Sequence, residues 1–248
     1  MVIILAPHKQ KSEQEILSIL SYNHKWFERL MNTFLGFSFR DVLTITEPTS
    51  KKLWAKQGFH GGCGINQYIK VVPTSYSLLE EIEFRAKGRK DLRMLDLCCN
   101  IGRHSQYLFD KGFSNLYGVD VNTDCGKYQD KYFPQLAKKG TYFWLPVEEY
   151  LPTVKDNFFD IVFTHGLSIS HITSRYNLPR DLARITRKYV IMANVKLTDG
   201  PHSRFWLTEF QRYGLVPIKL LQPEKEWCPK SAFNRAHALL VLKKIPKA

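Results

Sequence analysis

Two aspartates lie within short apolar runs of the sequence, and two histidines follow a later run. Asp96 lies in one such run and Asp120 near the end of the next, while His165 and His171 come after a later run. An ionised carboxylate accepts hydrogen bonds from amines and hydroxyls, and imidazole gains or loses a proton near neutral pH. These residue types predict a site that binds amine and hydroxyl groups and transfers a proton.

The apolar runs indicate a parallel sheet that positions these side chains. From residue 93 onward they alternate with helical patterns, and they are apolar throughout, as in strands buried on both faces. Strands joined by right-handed helical crossovers form a doubly wound sheet. We therefore predict an α/β, Rossmann-like, mostly parallel seven-stranded sheet. The predicted strands are 93–97, 116–121, 142–145, 159–164, 189–195, 216–221 and 237–242, the last two antiparallel, and helices are predicted over 123–137, 178–187 and 203–213.

The length of 248 residues fits one such domain with an added segment better than two independent domains. Residues 1–90 contain two amphipathic stretches, 11–21 and 25–35, and an aromatic, glycine-rich stretch at 53–64. We predict that residues 1–90 form a helical cap over the carboxyl edge of the sheet, where the cap would bind the acceptor. Residues 91–248 would form the sheet domain.

Composition and charge narrow the class of protein. A hydrophobic content of 44% with 24% charged residues excludes wholesale disorder. The net charge of +13 suggests a partner that is nucleic acid, an acidic substrate or a membrane surface. No signal peptide or membrane span is expected, and five cysteines without a CxxC pair favour neither a disulfide framework nor a metal site. We expect a reducing, cytoplasmic protein with no membrane partner and no metal.

The loop after the first predicted strand, MLDLCCNIGRHSQYL at 94–108, is where a doubly wound sheet binds its ligand. It resembles motif I of the class I S-adenosylmethionine-dependent methyltransferases, in which an acidic strand end precedes GxGxG. Cys98 and Asn100 stand where the first two glycines of the family would be, and only Gly102 remains. Asp120 and the stretch FFDIVFTHGL at 158–167 extend the resemblance across the sheet.

The departures from glycine favour one ligand over another. A dinucleotide fold needs its second glycine so that the backbone can approach a pyrophosphate. S-adenosylmethionine has no phosphate, and Asn tolerates the left-handed backbone that glycine would supply. A side chain at Asn100 is therefore harder to reconcile with a nicotinamide dinucleotide than with S-adenosylmethionine.

The resemblance implies a role for each of these positions in binding the cofactor. Asp96 would accept from the methionyl ammonium, and Asp120 from the two ribose hydroxyls. The backbone of Cys98, Asn100 and Gly102 would lie along the methionine and ribose. Further cofactor-binding positions implied in this way are Arg103, near the methionyl carboxylate, Val121, Val147 and Glu148, around the adenine, and Thr164 and His165.

The same resemblance places the stretch after the fourth strand of the family opposite the transferred methyl group. His165 and His171 are therefore the candidate bases that take a proton from the acceptor. The loop lacks the Asn/Asp-Pro-Pro-aromatic sequence typical of base-amine methylation, and no Pro-Cys pair suits pyrimidine C5 methylation. We predict methyl transfer to an O or N of a small molecule, for which the positive charge favours an anionic acceptor.

Two alternatives remain open at this point. RNA could be methylated on ribose or a base nitrogen, because residues 181–248 carry 13 basic and 5 acidic side chains. The chain could instead be a non-catalytic or nicotinamide-binding module of the same fold. The oligomeric state and the identity of the acceptor are not specified by the sequence.

Overall fold

A nine-stranded sheet organises the described part of the chain. The computed structural model describes residues 2–5, 9–11, 65–166, 176–195, 206–222 and 238–245. The strands are β1 Val2–Leu5, β2 Lys9–Lys11, β3 Arg93–Leu97, β4 Asn115–Val119, β5 Thr141–Phe143, β6 Phe159–His165, β7 Thr186–Val195, β8 Leu215–Gln222 and β9 Ala238–Lys244. The helices are α1 Asn66–Ile69, α2 Tyr76–Ala86, α3 Arg103–Asp110, α4 Asp124–Tyr132, α5 Pro134–Lys139, α6 Val147–Tyr150, α7 Leu178–Ile185 and α8 Trp206–Arg212. Short 3-10 turns lie at Pro73–Ser75 and Leu151–Thr153.

The strand order is β2-β1-β8-β9-β7-β6-β3-β4-β5. From β7 to β5 neighbouring strands are parallel, while β9 runs antiparallel to both β7 and β8. The chain moves outward from β3 to β4 and β5 and then returns to the other side of β3 as β6. This reversal creates the crevice at the carboxyl ends of β3 and β6 in which doubly wound folds bind ligands. The predicted seven-stranded, mostly parallel sheet with a closing antiparallel pair is confirmed.

Two strands extend the sheet beyond the seven that were predicted. β1 pairs in parallel with β8, with Ile3 opposite Leu220, and β2 turns back antiparallel to β1. The helical cap predicted for residues 1–90 did not include these two strands, and the cap itself stays a prediction. The amphipathic stretches and the aromatic stretch at 53–64 lie outside the described residues, apart from Lys11, which ends β2.

The helices cover both faces of the sheet. On one face, α6, α7 and α8 bury Val147, Leu182 and Phe210 against the strands. On the other face, α2 and α3 bury residues such as Leu78 and Leu108 in a second cluster. Helix α2 belongs to the region predicted as the cap, yet its apolar side shares a core with β3. The boundary at residue 90 therefore stays a prediction.

The predicted helix over 123–137 is two helices. α4 ends at Tyr132 and α5 begins at Pro134, with Phe133 between them at φ −131° and ψ 52°. Proline lacks the amide hydrogen that a continuous helix needs and disfavours helical backbone in the preceding residue. No helix among the described residues is long and apolar enough to cross a membrane.

Candidate active site

Asp96 lies in a buried position at the carboxyl end of β3. Its side chain is only 1% exposed and accepts a hydrogen bond of 2.9 Å from the Ser105 hydroxyl on α3. Burial raises the pKa of the Asp96 carboxyl to about 7, although the Ser105 hydrogen bond and the nearby Arg103 charge act in the opposite direction. Asp96 therefore changes its charge near neutral pH, and a cationic ligand would favour its ionised form.

The loop from β3 to α3 alternates between left-handed and ordinary backbone. Cys98, Asn100 and Gly102 have φ values of 59°, 51° and 86°. These are the three positions at which the resembling family has glycine, and Asn is the side chain that accepts this conformation most readily after glycine. A Cβ at Gly102 would lie 2.9 Å from Nε2 of Gln129, so the Gln129 side chain would have to shift to admit any residue larger than glycine. The loop keeps the glycine conformation with only one glycine.

The backbone amides of this loop are used within the protein. The amide of Cys99 donates to the carbonyl of Val119 at 3.1 Å, and that of Gly102 donates to the carbonyl of Cys99 at 2.9 Å. The amide of Asn100 donates to Asp120, and that of Ile101 donates to the Asn100 side-chain oxygen, both at 2.8 Å. Four successive amides are thus occupied, and the loop offers oxygen acceptors where a phosphate would need donors.

Asp120 directly follows β4 and faces the loop. One oxygen of its carboxylate accepts from the amide of Asn100 at 2.8 Å and the other from the amide of Asn122 at 2.9 Å. Burial raises the pKa of the Asp120 carboxyl, and these backbone hydrogen bonds oppose the change. The side chain is half-buried, and each oxygen can accept a further hydrogen bond. Asp120 therefore holds the loop and remains available to a ligand.

The predicted adenine-binding positions are the residue after this carboxylate and two residues at the start of α6. Val121 is half-buried, and Val147 is 4% exposed at the first position of α6. Glu148 is half-buried, and burial, followed by the charges of Asp120 and Glu148, raises the pKa of the Cys98 thiol. Val147 belongs to the same core cluster as Leu97 and Val119, and Cys98 packs against this cluster, so α6 lies near the loop.

The end of β6 carries a polar cluster that includes His165. The rings of His165 and His104 are 5.0 Å apart, and His104 Nε2 lies 2.9 Å from the Ser75 hydroxyl. His104 Nε2 also accepts from the Arg103 guanidinium at 3.3 Å. Burial, His165 and Arg103 lower the pKa of His104 well below its ordinary value, so this imidazole is neutral. On the exposed side, the Thr74 hydroxyl lies 3.5 Å from His165 Nε2.

Thr164 and Arg103 differ in whether their polar groups are hydrogen-bonded. The Thr164 hydroxyl is buried and has no hydrogen-bond partner among the described residues. Arg103 donates to the carbonyl of Gln67 at 2.8 Å, and its guanidinium lies 5.7 Å from the centre of the Tyr68 ring. Burial lowers the pKa of Arg103. Arg103 thereby ties α3 to the segment that precedes α2.

Sequence reasoning missed His104, Ser105 and Ser75. Ser75 and His104 are 29 positions apart, and only the packing of α2 beside α3 brings them together. Ser105 had a local signal, because it lies in the first turn of the helix that follows the loop. His171 lies outside the described residues, as do Trp54, Phe59 and His60 of the aromatic stretch at 53–64. Within the described ranges, no three His, Cys, Asp or Glu side chains form a group suited to a metal ion.

Comparison with known proteins identifies the fold. No family model matches the chain, and no curated protein matches it by sequence. Among solved structures, geranyl diphosphate C-methyltransferase from Streptomyces coelicolor, in complex with geranyl diphosphate and S-adenosyl-L-homocysteine, aligns with a TM-score of 0.57 at 10% identity, covering 82% of this chain and 99% of that one. Magnesium protoporphyrin IX methyltransferase from Synechocystis, with bound S-adenosylmethionine, gives 0.54 at 13% identity and covers 84% and 98%.

A third similar structure is that of an enzyme named for a reaction other than methyl transfer. The [4+2]-cyclase SpnF aligns with a TM-score of 0.55 at 12% identity, covering 68% of this chain and 80% of that chain. The architecture alone therefore does not determine the chemistry. The structural similarity over most of each methyltransferase chain shows that this chain has the fold of the class I S-adenosylmethionine-dependent methyltransferases.

Proposed function

We propose that the chain binds S-adenosylmethionine at the β3–β4 edge and transfers its methyl group to an O or N of a small molecule. The observation that supports this proposal most strongly is the polarity of the loop. The amides of residues 99–102 are all occupied, and two carboxylates, Asp96 and Asp120, lie beside them. Such a site repels the pyrophosphate of a dinucleotide and attracts a ligand with a positive charge and paired hydroxyls.

The residues fit this cofactor by their chemistry. Asp96 would accept from the methionyl ammonium, directly or through water, because it is the buried carboxylate at the strand end. Asp120 would accept from both ribose hydroxyls, since each of its oxygens has spare capacity. The backbone from Cys98 through Asn100 to Gly102 would lie along the ligand.

The remaining predicted cofactor positions keep their proposed roles. Val121 and Val147 would flank the adenine, with Glu148 as the polar group at its edge. Thr164, whose hydroxyl lacks a partner among the described residues, would donate to the ligand. Arg103 is already bonded to Gln67, which supports a role in fixing the wall of the site and leaves a methionyl carboxylate as a second partner.

When bound, the cofactor supplies a methyl group on a sulfonium, which is an excellent leaving group. The protein then has to align the acceptor and accept the proton that the acceptor loses. His165 is the base that we propose, because it lies at the end of β6 with one side toward Thr74 and the exposed surface. Neutral His104 packs against it and adds no positive charge that would hinder protonation of His165. His171 remains a second proposed base.

We propose the acceptor class from the sequence. The described carboxyl edge has acidic residues next to the loop, which suits a small acceptor better than a nucleic acid backbone. RNA methylation remains the alternative, and a non-catalytic module of this fold is the other. The similar structure of the cyclase SpnF shows that this fold also occurs in an enzyme named for another reaction, so cofactor binding and methyl transfer have to be tested separately.

An acceptor screen with isotopically labelled S-adenosylmethionine tests the proposal. The purified chain should transfer one labelled methyl group to a member of a small-molecule library, as read by mass spectrometry. The variant His165→Ala should reduce turnover while S-adenosylhomocysteine still raises the melting temperature, because the ligand binds only the native state. Label appearing in RNA would overturn the acceptor class, and the absence of any stabilisation by S-adenosylhomocysteine would overturn cofactor binding.

A further inference from the structure

The positive charge of the described chain is concentrated at the edge of the sheet opposite the candidate active site. We define the amino face as the segments that enter strands β3 to β8 or leave β9. These segments are 85–93, 110–113, 138–140, 155–160, 184–188, 212–214 and 243–245. They contain fifteen Lys and Arg residues and four Asp residues, whereas the other described residues contain eight basic and eleven acidic ones. The sequence-based expectation that the surplus charge serves the acceptor is therefore not supported for the described residues.

Compensation of helix dipoles accounts for only a small part of this charge. Helices α2, α3, α5, α7 and α8 end at the amino face, and each carboxyl terminus has a partial charge of about −0.5. Five such ends offset about two or three positive charges. A net positive charge of several units remains, and it lies away from the carboxylates Asp96 and Asp120.

Several cations of the amino face are exposed and have no acidic partner among the described residues. Lys138, Lys155 and Lys243 are exposed in this way. Others are partly neutralised, as Arg187 is by Asp160. The unpaired lysines belong to segments beside β5, β6 and β9, so they are spread across the sheet.

The arrangement of these cations is linear. Every strand from β8 to β5 in the sheet order begins or ends beside at least one Lys or Arg. Seven strands at a spacing of about 4.8 Å make a row about 29 Å long. A row of this kind matches the regularly spaced phosphates of a nucleic acid strand better than it matches a compact anion.

Aromatic rings are interleaved with the row. The guanidinium of Arg93 lies 4.4 Å from the centre of the Phe158 ring, and Arg85 lies over both Phe84 and Tyr189 at 5.1 and 5.3 Å. Phe84 is 67% exposed, the largest exposed fraction of any large apolar side chain described. Phe158 and Tyr189 are half-buried, so Phe84 is the exposed ring of this set. Cations beside an accessible aromatic ring are the features by which proteins bind single strands without reading sequence.

We propose that the amino face binds single-stranded RNA, independently of the methyl-transfer site on the opposite edge. In this arrangement RNA is a partner and not the methyl acceptor, because the bound strand would lie at the other end of the strands from Asp96 and His165. Phosphates would pair with the exposed lysines, and a base would stack on Phe84. The proposal stands whether or not the chain transfers methyl groups.

The test measures binding of a fluorescein-labelled oligouridylate to the full chain by anisotropy over a range of salt concentrations. The logarithm of the association constant should fall linearly with the logarithm of salt, by about 0.7 for each phosphate neutralised, which gives a slope of about −5 for a row of seven positions. The variant K138Q/K155Q/K243Q should make this slope less negative by about 2. The control K70Q/K127Q/K131Q removes the same charge from exposed lysines outside the amino face and should leave the slope unchanged.

A second variant separates stacking from charge. Phe84→Ala should weaken binding severalfold without changing the salt slope, and its exposed position leaves folding intact. Equal effects of the two triple variants, or no binding, would overturn the proposal. Competition between the oligonucleotide and S-adenosylhomocysteine, or methylation of the RNA, would overturn the separation of the two sites. Binding to phosphatidylglycerol vesicles without binding to RNA would replace the proposed partner with a membrane surface.

Discussion

Replacing Asp120 with Asn separates its two roles. The carboxylate accepts from the amides of Asn100 and Asn122 at 2.8 and 2.9 Å, whereas an amide side chain has only one oxygen acceptor and turns an NH₂ group toward the other donor. One charge-assisted bond is lost and the other becomes neutral. We expect the free energy of unfolding to fall by about 1–3 kcal/mol.

The same change should weaken cofactor binding. If Asp120 accepts from the ribose hydroxyls, the loss of charge-assisted hydrogen bonds lowers affinity by about 1–3 kcal/mol, which corresponds to about 5- to 150-fold. Asp120→Ala is the less suitable change, because removal of the whole carboxylate would leave the amides of Asn100 and Asn122 unpaired and would also disturb the fold.

Calorimetric titration with S-adenosylhomocysteine and thermal unfolding measure the two effects separately. A decrease of about 1 kcal/mol in the free energy of unfolding should lower the melting temperature by about 2–4 °C for a chain of this size. The matched control is Asp130→Asn, which removes one charge from an exposed position on α4 and should change neither quantity. A lower melting temperature with unchanged affinity would refute the binding role and leave Asp120 as a structural residue.

Three further changes test other parts of the structure. Gly118→Ala should cost about 1–3 kcal/mol of stability, because its Cβ would lie 2.4 Å from the Tyr142 ring; an unchanged melting temperature would contradict this packing. Asp160→Asn should cost about 1–3 kcal/mol by weakening its contact with Arg187, seen as a lower urea midpoint, whereas Asp156→Asn at an exposed site should not. Because the pKa of Asp96 is raised to about 7, its contribution to stability falls as pH rises toward 7, while affinity for S-adenosylmethionine should increase between pH 6 and 8 and lose this dependence in Asp96→Asn.

The sequence predicts those parts of the fold that depend on local pattern. Strand β3 has the predicted bounds, and the left-handed backbone at Asn100 follows from its place at a glycine position. The split between α4 and α5 also had a local signal in Pro134 that the helical pattern obscured. Sequence periodicity therefore suffices where burial on both faces or a single backbone constraint fixes the structure.

Contacts between distant segments could not be predicted in this way. The pairing of β1 with β8 joins residues more than two hundred positions apart, and its short apolar run has no local feature that identifies a partner. The contact of His104 with Ser75 depends on where α2 lies against α3. The concentration of charge on one edge emerges only from the strand order, because the surplus is spread among many short segments of the sequence.

Calorimetric comparison of S-adenosylmethionine with NAD tests the central claim most directly. The loop at residues 98–102 has occupied amides and two neighbouring carboxylates, so the protein should bind S-adenosylmethionine with a stoichiometry of one and give no measurable heat with NAD. Binding of NAD in preference to S-adenosylmethionine would contradict the account, since it would require the loop to receive a pyrophosphate.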